Sequence, residues 1–83
     1  MMQNEVPSEI FARNLRRLIK ERDISYAELE RATGIARSTL NETANGKHMV
    51  SLNYAIKIAH YFGLTVEEMV DHVSDKGNRE KAL

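Results

Sequence analysis

Ser25 to Gly46, reading SYAELERATGIARSTLNETANG, limits what this chain can fold into more than any other stretch, because it specifies two short helices with a glycine between them. Ser25 followed three residues later by Glu28 has the spacing of a capping box, in which each side chain satisfies an orphan backbone N–H at a helix start. Ile24 and Leu29 are spaced for the accompanying hydrophobic staple. Good helix formers then run to Ala32, and Gly34 supplies the left-handed residue that commonly ends a helix. The second pattern runs from Arg37 to Ala44 and stops at Asn45-Gly46. At helical periodicity Ala36, Leu40, Thr43 and Ala44 share one side, and Ser38, Asn41, Glu42 and Asn45 share the other. A helix of two turns does not persist alone in water, so the rest of the chain must hold it by packing.

Two brief helices joined by a glycine turn, the second with a polar face, describe a helix-turn-helix motif. Its flanks read as support. Pro7-Ser8 opens an amphipathic helix to Arg22, with Phe11, Leu15, Leu18, Ile19 and Arg22 at helical spacing and a run of basic residues outside. After a loop at Lys47 to Val50, Ser51 caps a helix over 52–62. Its apolar stripe of Leu52, Ala55, Ile56, Ala59 and Phe62 is widened by Tyr54, Ile58 and Tyr61. Thr65 with Glu68 repeats the capping box, Leu64 with Met69 repeats the staple, and the fifth helix is expected to reach His72 or Val73. The expected fold is an all-α, compact five-helix bundle over residues 8–73. A flexible arm at 1–7 and a disordered tail at 74–83 flank it. Met69, Val70 and Val73 offer more apolar area than a short fifth helix needs for its own anchoring, which marks them as a dimer surface.

Composition narrows the function. The chain has 83 residues, enough for one modest core, and no cysteine, so neither a disulfide framework nor a thiolate zinc site supports it. His48, His60 and His72 lack ligand-like spacing, and no phosphate cradle, serine elbow or inward carboxylate pair is present. Neither an enzyme nor a small-molecule substrate, cofactor or metal is expected. No secretion signal or apolar run near the roughly 18 residues of a membrane span occurs, so a cytoplasmic protein is expected. The formal net charge is zero, but Arg13, Arg16, Arg17, Lys20 and Arg22 crowd one segment while Glu67, Glu68, Asp71 and Asp75 gather at the other end. Because phosphate attraction acts locally, within about 8 Å at physiological salt, a neutral domain can still present a basic face.

The succession L-x-x-L-I-K-E-R, S-Y-A-E-L-E-R-A-T-G-I, R-S-T-L-N-E-T-A-N-G-K and S-L-N-Y-A-I-K-I-A-H-Y-F-G-L-T-V-E-E-M-V resembles the lambda-repressor-like helix-turn-helix domains of phage repressors, Cro and bacterial XRE-type regulators, over roughly residues 10–73. The resemblance implies a sequence-specific double-stranded-DNA-binding transcriptional regulator, a homodimeric repressor or activator with repression the expectation, whose helix at about 37–44 enters the major groove. It implies base contacts from Arg37, Ser38, Asn41 and Glu42, and phosphate contacts from Ser25, Tyr26, Asn45, Lys47 and His48. Tyr26 stands where the family commonly has Gln, and Ala36 where it often has Ser or Thr as a helix cap. Ile19 and Ala44 stand where it often has an Arg–Glu pair. Replacing both charges of a pair by apolar groups can be neutral or stabilising. The neutral charge, Glu42 and the wide apolar surface also suit an alternative, a helix-turn-helix scaffold acting mainly through protein binding, as an antitoxin or antirepressor does.

Overall fold

A computed structural model describes residues 5–6, 8–47 and 49–71, and in it three of the helices start where a side-chain oxygen caps them. The elements run β1 (Glu5–Val6), α1 (Ser8–Arg22), α2 (Tyr26–Thr33), α3 (Arg37–Ala44), β2 (Val50–Ser51), α4 (Leu52–Tyr61) and α5 (Val66–Met69). Ser25 Oγ accepts from the Glu28 amide, Ser51 Oγ accepts from the Tyr54 amide, and Thr65 and Glu68 form both arms of a capping box. At each of these starts a hydroxyl takes over one of the amides that the first helical turn leaves without a partner. The chain is all-α in class, with five helices among the described residues.

The core is built from facing helix stripes. Phe11, Leu15 and Leu18 of α1 meet Leu29 of α2, Ile35 of the following turn and Leu40 of α3, and from behind Ala55, Ile58, Ala59 and Phe62 close the space. Ile24 and Leu64, the expected staple residues, are partly buried and pack against this cluster, of which Leu29 and Met69 are members. Burying each large side chain contributes about 1.5–3 kcal/mol, so the core rather than helix propensity holds these short elements.

Four features differ from the sequence reading. First, the arm is not free throughout: β1 pairs antiparallel with β2, Glu5 opposite Ser51 and Val6 opposite Val50, a pairing too short for an alternating pattern to reveal. Second, α5 ends at Met69, with Val70 as its C-cap, several residues before the expected end. Third, α4 turns its stripe so that Ala55, Ile58 and Ala59 are buried while Leu52 and Ile56 stay 40% and 38% exposed. Periodicity gave the width of that stripe but not which edge the neighbours cover. Fourth, Met69 is wholly buried, so it is a core residue of its own chain and offers no surface to a second copy. Val70 is half-buried against the same core; Val73 and the expected tail at 74–83 lie outside the described residues. No helix among the described residues is long and apolar enough to cross a membrane.

Asn14 is the polar residue that closes this core. It is 3% exposed on α1, and its Nδ2 donates to the carbonyl of Met69 at 2.6 Å, tying the end of α5 to the first helix. Asn14→Ala leaves that carbonyl without its donor and is expected to lower stability by about 1–3 kcal/mol in urea unfolding; an unchanged midpoint would show that solvent replaces the bond.

Candidate nucleic-acid interface

The turn between α2 and α3 is locked by side-chain and backbone hydrogen bonds. Thr33 Oγ1 donates to the Leu29 carbonyl at 2.7 Å and accepts from the Ile35 amide at 3.2 Å. Gly34 has φ +80, the left-handed conformation glycine adopts without strain, and its amide donates to the Glu30 carbonyl at 2.8 Å. Ile35, 2% exposed, then drops into the core and fixes the angle at which α3 departs.

α3 is held on its inner face and at its far end. Leu40, Thr43 and Ala44 are buried. Arg16 of α1 reaches over and donates from Nη1 to the Ala44 carbonyl at 2.6 Å, satisfying one of the acceptors a helix C-terminus leaves open with a cation, the sign the helix dipole favours there. Arg16 lies one turn before Ile19, the position where the resembling family often has its arginine. An arginine from α1 thus still clasps the end of the recognition-type helix here, through a backbone oxygen instead of a glutamate. Nothing in the spacing of a basic run on α1 distinguishes this residue from its neighbours; only the packing of α1 across α3 does.

Arg37, Ser38, Asn41, Glu42 and Asn45 are all exposed and fall within an arc of about 140° on the helical wheel. The structure therefore brings the four expected base-contacting residues and Asn45 onto one uncovered face. Lys47 is exposed just beyond, with its amide donating to the Glu42 carbonyl at 3.4 Å. At the start of α2, Ser25 is exposed, its Oγ taken as acceptor by Glu28 but its hydroxyl proton still able to donate. Tyr26 is half-buried against the core. His48 lies outside the described residues.

The basic residues of α1 divide by role. Arg13 and Lys20 are exposed. Arg16 clasps α3, Arg17 lies 3.9 Å from Glu21, and Arg22 donates to the Phe62 carbonyl while its guanidinium sits 5.4 Å from the Phe62 ring centroid. The run read as an outer basic face is thus in part a set of internal fasteners. On α3, Arg37 Nε donates to Glu30 Oε1 at 3.1 Å, a bridge from one helix of the motif to the other.

Comparison with known proteins agrees with this geometry. A family model described as a Cro/C1-type HTH DNA-binding domain matches residues 14–75. Among solved structures, a transcriptional regulator from Listeria innocua superposes with a TM-score of 0.64 at 24% identity, over 87% of this chain and 70% of that one, a likeness of fold. No curated protein matches the chain.

The beginning of α3 is its weak point. Ala36 occupies the N-cap with φ −56 and ψ 143, close to the φ −64 and ψ 147 of Ser51, yet has no side chain to accept a hydrogen bond. The backbone is already placed for a hydroxyl, so Ala36→Ser is expected to raise stability by about 0.5–2 kcal/mol, read as a higher urea midpoint. No gain would show that the first amides of α3 are satisfied by water at little cost.

Proposed function

The chain belongs to the Cro/C1-type HTH DNA-binding domain family, and from that premise we propose that it is a sequence-specific transcriptional regulator, a repressor that lays α3 in the major groove of double-stranded DNA as a homodimer. The observation that carries this reading is the single exposed polar arc of α3, whose opposite face is locked into the core and whose end Arg16 clasps. An arginine can fork onto the O6 and N7 of guanine, an asparagine can pair with adenine, and a glutamate accepts from cytosine N4. Arg37, Asn41 and Glu42 supply one of each, with Ser38 beside them. Ser25, the Tyr26 hydroxyl, Asn45, Lys47 and His48 serve the phosphates, which set register and orientation rather than sequence. Two copies would set their α3 helices in successive major-groove faces about 34 Å apart, with Val70 and Val73 at the join. Bound in this way, the protein blocks access to the duplex it covers, which is how a small domain without a catalytic site represses in the cytoplasm.

A second reading has one observation of its own. Met49, Leu52 and Ile56 are 46%, 40% and 38% exposed, an apolar group that suits the protein-binding scaffold. Selection of binding sites from random duplex DNA separates the two, since only the regulator enriches a defined site. Arg37→Ala with Asn41→Ala is expected to erase the preference, at about 1–3 kcal/mol for each bidentate pair lost, while the helical circular dichroism is retained. An unchanged footprint in the double variant would remove α3 as the recognition element.

A further inference from the structure

Glu30 is not among the expected DNA-contacting residues, yet its side chain touches the residue with the most to contribute to base recognition. It stands on α2, and its Oε1 accepts from Arg37 Nε at 3.1 Å, with the two side chains 38% and 61% exposed. Ion pairs this exposed contribute little to stability, so the fold does not account for the contact. Its geometry does something else. A guanidinium is planar with five N–H donors in a fixed fork, and Glu30 takes the one on Nε. The two terminal nitrogens then form the free edge, and their parallel donors match the N7 and O6 of guanine. An arginine without such a tether swivels freely and meets a phosphate oxygen as readily as a base.

We propose that Glu30 is a positioning and specificity-determining residue, which holds the Arg37 guanidinium by its Nε and presents the remaining edge to guanine. The proposal rests on the reading of α3 as the recognition helix. Glu30 acts through Arg37 and makes no contact with the base itself. Its carboxylate has a second consequence: it weakens the attraction of Arg37 for phosphates on any sequence, so affinity for unrelated duplex falls while the guanine contact, which needs the oriented edge, is kept.

The test uses the full chain and a duplex recovered by selection, paired with versions of that duplex in which each guanine is replaced in turn. Arg37→Ala identifies the guanine it contacts, by the position at which discrimination collapses. At that position Glu30→Ala is expected to lose about tenfold in discrimination, while discrimination at the other positions is unchanged. Glu30→Gln keeps an oxygen that can accept from Nε and is expected to hold discrimination within about threefold of the parent. Equal loss in both Glu30 variants would overturn positioning in favour of charge alone, and full discrimination in Glu30→Ala would overturn any role. If Arg37→Ala changes no position, or no duplex is selected, the base-contact reading fails and the proposal with it; loss in Arg37→Ala alone would remove only Glu30.

Discussion

Everything this fold presents to the outside depends on how α3 is held. Two turns of helix beginning with an uncapped alanine would not survive in water, and here they are pinned at three points. Ile35 sets the entering chain into the core, Leu40 and Ala44 anchor the inner face, and Arg16 takes the last carbonyl. Removing any of these frees the arc of Arg37, Ser38, Asn41 and Glu42 from a defined orientation without touching a single member of it. The hydrogen bonds of Thr33 and Gly34 serve the same end from the other side, since they make the turn between α2 and α3 a fixed joint.

The remaining helices can be understood as the support this arrangement requires. α1 contributes both an apolar stripe and the reaching arginine, α4 closes the core from behind, and α5 is stitched to α1 through Asn14 and the Met69 carbonyl. That stitch explains why Met69 belongs to the interior: its backbone and its side chain are both engaged within one chain.

Local signals were legible in the sequence and tertiary ones were not. The starts of α2, α4 and α5 follow from Ser25, Ser51 and Thr65, and the end of α2 from Gly34, because caps and left-handed glycines act over three or four residues. The polar arc of α3 follows from the same periodicity. By contrast, the exposure of Leu52 and Ile56 depends on which flank of α4 its neighbours cover, and the burial of Met69 on where a short helix docks. The β1–β2 pair joins segments more than forty residues apart, and the split of the α1 arginines between fasteners and free cations depends on reach across other helices. Ala36 was legible as a missing cap, and the structure shows a backbone that still has the shape of a capped one.

The formal net charge of zero leaves the electrostatics of the interface to distribution alone. Glu30 and Glu42 lie among the cations of the motif, so attraction to phosphate must come from other exposed cations, such as Arg13, Lys20, Arg31 and Lys47. A protein that engages duplex DNA through such contacts releases counterions, whereas an apolar protein contact does not. The most direct measurement is therefore the affinity of the full chain for its selected duplex across a series of salt concentrations. Duplex binding through α3 and its flanking phosphate contacts predicts a logarithmic slope of about −3 or steeper, at about −0.9 for each phosphate neutralised. A slope near zero, or no measurable affinity for duplex at low salt, would contradict it.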